Sequence, residues 1–332
     1  MSASTKFPDD FVSVAPDTKV SAASAVLIGG AGRPGDPARA IQMLMAAMGE
    51  GSGAAAERLA VLAALGVARP SDWVEAINLL VMAAERGHRP AQGQLAVLAG
   101  ESVPPSGEGG PDLWKTLARR IDLKGLLRAP GLQAVREKPS IALVSGLATP
   151  AICRWLIARA AGRVSRAKIG DYSTGEWVED PVRTGESAGF GLADTDVILA
   201  LTQKRLELAS GLHVHQQEAP QILSYKPGQE YKAHYDFLVP ETPNFKLILD
   251  TMGQRVATCL TWLNDDYEGG ETAFLKIDWK HKGKQGDAML FLNVRKMDRQ
   301  PDGTTLHAGL PVTNGRKWLL SQWVRDRVQP IV

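Results

Sequence analysis

Three residues constrain this chain more than any others: His234 and Asp236, separated by one residue, and His307, 73 residues further on. Side chains on an extended strand alternate between its two faces, so His234 and Asp236 share a face if the end of the stretch Tyr225–Asp236, YKPGQEYKAHYD, is a strand. A later strand must then bring His307 alongside. The surrounding pattern fits that demand. After Gly211 the chain reads as strand after strand, at 221–225, 231–237, 256–263, 272–276, 288–292, 305–308 and 317–324. Turn signals such as Glu268-Gly269-Gly270 and Pro301-Asp302-Gly303 separate them. Short strands at such spacing argue for a barrel or sandwich. Two helices are expected just before them, one opened by Pro150 and one over Asp194–Ser210, with a short buried strand at Ile141–Val144 and a loop at 170–191. Together these predict a jelly-roll barrel braced by helices.

The N-terminal part follows a different rule. Ala40-Ile41 returns as Ala76-Ile77, Leu44 as Leu80, Ala47 as Ala83, and Leu59-Ala60-Val61-Leu62-Ala63 as Leu95-Ala96-Val97-Leu98-Ala99, each 36 residues later. Apolar and small residues at helical spacing, with glycine between two helices, mark stacked helix–turn–helix units. Two such units bury little core by themselves, so the pair is expected to lean on the barrel domain or on a second subunit. The fold class is thus α+β and multidomain. The divisions expected are a flexible tail at 1–35, a helical repeat domain at 36–100, a linker and junction helix at 101–137, and the barrel domain at 138–332. Within the junction, 112–136 reads as helical, with Trp114, Leu117, Ile121 and Leu126 on its apolar face.

A net charge of +2, with 22% charged and 44% hydrophobic residues, gives no reason to expect nucleic acid. No basic-then-apolar leader and no run of about 18 apolar residues is present, so neither a signal peptide nor a membrane span is expected. Cys153 and Cys259 read as buried thiols in a reducing compartment, with the cytoplasm as the default.

Two neutral imidazoles and one carboxylate form a set that holds Fe(II) on one face of an octahedron and leaves positions for a co-substrate and dioxygen. His234, Asp236 and His307 are the candidate metal ligands and the core of the catalytic set. His213-x-His215, also a same-face pair, lacks matching partners and reads as surface. The basic run from Lys276 to Lys284 reads as a solvated hairpin loop, and Asp265–Glu268 as a turn.

The segment from Glu218 to Arg327 resembles the catalytic domain of the prolyl 4-hydroxylase family of Fe(II)/2-oxoglutarate dioxygenases. The matching pieces run from Tyr225-x-Pro-Gly-Gln229-x-Tyr231-x-x-His234-x-Asp236 through Gly269-Gly270-Glu271-Thr272 to His307, Lys317-Trp318 and Trp323. Upstream, Arg183-Thr184 resembles the family's Arg-Thr-Ser loop, with Gly185 in place of the serine. The resemblance implies a double-stranded β-helix oxygenase domain, with Fe(2+), 2-oxoglutarate, O2 and L-ascorbate as cofactors and co-substrates. It implies that Lys317 takes the distal carboxylate of 2-oxoglutarate, with Arg316 as rival on the opposite strand face. Tyr225 is implied as a hydroxyl donor to 2-oxoglutarate, Thr258 as a further pocket residue, and Trp323 as a pocket wall. Because Asp236 is retained, hydroxylation is favoured over halogenation.

The activity so implied is hydroxylation of a C–H bond, with release of succinate and CO2. The leading target is a prolyl residue of a protein or peptide. A free amino acid or small peptide is the alternative substrate, and an inactive scaffold on the same fold the alternative of another class. The segment AINLLVMAAERGHRPAQGQLAVLAG resembles Sel-one-like, tetratricopeptide-related repeats, which implies a protein-binding role. By position, 170–191 and 237–255 are expected to shape specificity.

Overall fold

The computed structural model describes residues 9–12, 17–30, 33–101, 112–170, 177–179, 182–242 and 245–329. Its N-terminal part is an array of antiparallel helices: α1 (Thr18–Ile28), α2 (Pro37–Gly49), α3 (Gly53–Leu65), α4 (Trp73–Glu85) and α5 (Arg89–Leu98). The 36-residue period is visible in where these helices begin. Asp36 caps α2 through the Arg39 amide, and Asp72 caps α4 through the Glu75 amide. Each carboxylate satisfies an amide that has no partner within its helix. Ser52 caps α3 in the same way, and Pro90 lies in the first turn of α5. Residues 18–28, expected as flexible tail, are instead α1. Asp17 caps this helix, and Ala23 and Leu27 bury their side chains against α2 and α3. Asp9–Val12 of that expected tail is a short helix with Phe11 and Val12 buried, while 1–8, 13–16 and 31–32 lie outside the described residues, as does 102–111 of the expected linker.

Helix α6 (Asp112–Arg119) buries Trp114 and Leu117 as its apolar face predicts. The helical reading fails beyond Leu126: Gly131–Arg136 is an edge strand, β1, paired with β2 (Ile141–Ser145). Helix α7 (Pro150–Ala161) starts at Pro150, with Thr149 as its cap. Strands β3 (Ser165–Arg166) and β4 (Glu186–Gly189) precede helix α8 (Val197–Ser210). Residues 186–189, expected as loop, pair with β5 (Gln221–Tyr225), because the ladder there has a free edge to accept them. Trp177–Glu179 also pairs, with Lys168–Gly170, while 171–176 and 180–181 lie outside the described residues.

The barrel follows. Its strands are β6 (Tyr231–His234), β7 (Arg255–Trp262), β8 (Thr272–Phe274), β9 (Trp279–His281), β10 (Ala288–Leu292), β11 (His307–Gly309) and β12 (Lys317–Arg325), with α9 (Phe245–Met252) between β6 and β7. The major sheet runs β1-β2-β10-β7-β12-β5-β4-β3, and the minor sheet β6-β11-β8-β9. Every pairing is antiparallel. Trp262, Phe274, Phe291 and Leu319 fill the space between the sheets. This is the jelly-roll expected from the strand pattern.

The helical array and the barrel share one apolar core. Ala60, Leu80 and Leu95 of the array belong to the same buried cluster as Trp155, Ile198, Ile222 and Leu320. Polar contacts cross the same boundary. Arg58 donates to the carbonyls of Leu192 and Thr195 (2.8 and 2.9 Å), and the Gln94 side chain accepts from the first amide of α8 (2.9 Å). The two helix pairs therefore lean on the barrel part of their own chain. No described helix is long and apolar enough to cross a membrane.

Candidate metal centre and co-substrate pocket

The ladder between β6 and β11 places His234 directly opposite His307. That register is what closes the 73-residue gap. The predicted strand stops early, however. It ends at His234, and Asp236 lies in the bend that follows. The register also shifts between Tyr231 and His234, so simple alternation does not hold along the stretch. What fixes Asp236 is a contact from the major sheet. The Thr258 hydroxyl of β7 donates to its Oδ2 (2.7 Å) and accepts from Asn293 Nδ2 (2.9 Å). Thr258, expected in the co-substrate pocket, is thus committed to orienting the carboxylate.

The result is a compact set of donors. The imidazole nitrogens and carboxylate oxygens of His234, Asp236 and His307 lie within 4.8 Å of one another, the only such group found among the described residues. The Nε2 atoms of His234 and His307 each stand 3.6 Å from an Asp236 oxygen. Their Nδ1 atoms are held by the backbone carbonyls of Lys232 (2.8 Å) and Thr305 (2.9 Å). Such a contact presents Nε2 to the centre and fixes the ring plane, as a metal-ligating histidine requires. Burial and the neighbouring His307 push His234 down to about 4, so its imidazole is neutral near pH 7. Burial works against the charge on Asp236, but the two histidines and Thr258 outweigh it and hold its carboxyl below the usual range. Two imidazole nitrogens and one carboxylate, oriented in this way, fit Fe(II).

Beside this centre lies a pocket lined by Tyr225, Lys317, Trp323, Arg183 and Tyr231. Lys317 and Tyr225 face each other across β12 and β5, with the ammonium 5.7 Å from the phenol ring centroid. Lys317 is 2% exposed and donates to the Gly270 carbonyl (2.7 Å). Burial pushes its pKa down to about 8. Arg316 faces away. Its guanidinium bonds Ser224 and Glu186 and covers the Trp318 ring. Trp323 lines the pocket, with the Arg255 guanidinium 3.9 Å from its ring centroid.

Three neighbours carried no assigned role in the sequence reading. Tyr231 stacks on the His234 ring, with centroids 3.5 Å apart and planes 12° from parallel. Its position three residues before the histidine was visible, but the local register shift was not. Arg183 is 7% exposed, and its Nε and one terminal nitrogen have no partner. Asn293, just past β10 and 35 residues on in sequence, holds Thr258, a contact with no local signature. The remaining motifs stay outside the site. His213 caps the short 3-10 turn Val214–Gln216, which contains His215. The Lys276–Lys284 run covers the hairpin between β8 and β9, and Cys153 and Cys259 are buried free thiols.

Residues 220–325 match the family described as the 2OG-Fe(II) oxygenase superfamily. Prolyl 4-hydroxylase 1 of Arabidopsis thaliana is 33% identical over 211 residues, covering 59% of this chain and 72% of the relative. Probable prolyl 4-hydroxylase 3 of the same plant is 34% identical over 191 residues, covering 52% and 64%. Among solved structures, the viral collagen prolyl hydroxylase of Paramecium bursaria Chlorella virus-1 in its 2OG complex is 27% identical. It covers 55% of this chain and 94% of that one, with a TM-score of 0.41.

Proposed function

This chain belongs to the 2OG-Fe(II) oxygenase superfamily, among proteins related to prolyl 4-hydroxylases, and from that premise we propose that it hydroxylates a prolyl residue of a protein or peptide. The observation that carries the reading is the intact His234, Asp236 and His307 set beside a pocket that ends in a buried lysine. When bound there, Fe(II) would supply activation of dioxygen at the expense of 2-oxoglutarate, giving succinate and CO2. The chain's own residues set the geometry. His234, Asp236 and His307 hold the metal face, and Thr258 keeps the carboxylate turned toward it. Lys317 receives the distal carboxylate of 2-oxoglutarate as a charge-assisted partner. Tyr225 contributes a hydroxyl near it, and Trp323 excludes water from that wall. Retention of Asp236 leaves no ligand position for a halide, which supports hydroxylation. L-Ascorbate belongs to the reading as the reductant that keeps iron ferrous.

The test is succinate formation from 2-oxoglutarate with Fe(II) and ascorbate, comparing the wild type with His234→Ala. The variant is expected to lose at least a hundredfold in output; equal output from the two proteins refutes the assignment. The prolyl target is read separately, as a gain of one oxygen on proline in a peptide pool. We also read the helical array as Sel-one-like in kind, on the strength of its 36-residue period, and the compartment as reducing and cytoplasmic, in keeping with two buried free thiols.

A further inference from the structure

The hydrogen bonds behind Asp236 form a relay that ends on Asn293, which is 0% exposed. The groups in it fix its direction. A carboxylate can only accept, the Thr258 hydroxyl has a single proton to give, and the Asn293 amide nitrogen can only donate. With Asn293 Nδ2 directed at the Thr258 oxygen (2.9 Å), the hydroxyl proton goes to Asp236 Oδ2 (2.7 Å). Of the three staggered rotamers open to a threonine, the bond from Asn293 selects the one that sets the hydroxyl between the two partners. The backbone of Asn293 is tied on both sides. Its N–H donates to the Val256 carbonyl of β7 (2.9 Å), and its carbonyl accepts from the Asp302 amide (2.9 Å). Asp302 caps the 3-10 turn Gly303–Thr305, and the Thr305 carbonyl holds His307 Nδ1. One buried residue thus joins the strand behind Asp236 to the turn that orients His307. Its Oδ1 is buried with no hydrogen-bond partner among the described residues. An apolar side chain of similar size would leave nothing unpaired there, so stability alone gives no reason for an asparagine; the relay does.

We infer that Asn293 is a positioning residue of the metal centre: it sets the direction of the Thr258 proton and thereby holds the Asp236 carboxylate in its ligating orientation. This rests on the oxygenase reading above and deepens it, since Asp236 is one of the three donors on which that reading stands. Groups that orient a metal ligand from behind typically carry about 10–100-fold in metal affinity. Asn293 acts through Thr258, so its share belongs at the lower end of that range.

The test uses the full-length protein and Mn(II) alone as the probe, with binding read from the paramagnetic resonance signal of the free ion. Asn293→Leu is expected to weaken Mn(II) binding at least about fivefold and Thr258→Val at least about tenfold. Thr258→Ser, which keeps the hydroxyl, is expected to stay within about twofold of the wild type, a rescue that a merely structural role would not produce. The double variant Asn293→Leu/Thr258→Val is expected to bind as Thr258→Val does, because the two side chains act as one unit. Asn293→Ala decides in place of Asn293→Leu should circular dichroism show that the latter does not fold. A folded Asn293 variant with wild-type affinity overturns the inference. So does a double variant weakened by the product of the two single losses, or Thr258→Ser falling as far as Thr258→Val. In each of those cases the wild type still binds Mn(II) and the metal-centre reading stands. A wild type that binds no Mn(II) refutes that reading and the inference with it.

Discussion

At the scale of single residues, the site depends on charges held where water is scarce. Lys317 is the clearest case. A lysine in water titrates near 10.4, whereas burial brings this one down to about 8. Its cationic form, which the 2-oxoglutarate carboxylate requires, is complete below that value and lost above it. Affinity for 2-oxoglutarate should therefore be flat toward acid and fall about tenfold between pH 7 and pH 9, following the protonated fraction. Calorimetric titration of the Mn(II)-loaded protein checks this, and an affinity constant across that range would remove Lys317 from the contact. The residues named from the sequence divide along a physical line. His234, Asp236 and His307 were legible as a metal set from residue type and order along the chain, although the face Asp236 takes is set by the bend after β6; Lys317 and Tyr225 were named from the family resemblance. Thr258 was named for the pocket, and its hydroxyl bonds Asp236; that contact is set by the bend after β6, which spacing does not encode.

At the scale of elements, the junction between array and barrel turns on one helix contact. A Cβ built on Gly93 of α5 would sit 2.5 Å from the Trp155 ring of α7. Trp155 is fully buried and donates its indole N–H to Asp196 (2.7 Å), the residue that caps α8. The ring can yield only by giving up its bond to Asp196 Oδ2. Gly93→Val is expected to destabilise the protein by about 1–3 kcal/mol, the usual range for overpacking, and denaturant titration would show it. An unchanged midpoint would mean that α5 and α7 slide freely. The helices themselves were easy to read, since caps and periodicity are local. The edge strand β1 and the short strand β4 were missed for the converse reason. Each is recruited by a ladder whose free edge is built elsewhere in the chain.

At the scale of the whole molecule, the shared core makes the two parts one cooperative unit. The cluster that holds Ala60, Leu80 and Leu95 also holds Trp155, Ile198 and Leu201, so neither part can unfold without exposing the other's interior. Differential scanning calorimetry should give one transition whose van't Hoff and calorimetric enthalpies agree. Two resolved transitions would show that the halves are thermodynamically independent. The sequence indicated that two repeats would need support, because so short an array cannot bury its own faces. It did not indicate where the support lies, since Arg58 and Gln94 reach their partners across more than a hundred residues.

Helical repeats are ordinarily interchangeable parts, tolerant of units added, removed or borrowed. The notch at Gly93 withdraws this array from that traffic. An array grafted from another protein would fit this barrel only if it brought a glycine to the same place and a glutamine beside it to meet α8. Recombination across the stretch between α5 and α6 would not exchange a module; it would cut a single core in two.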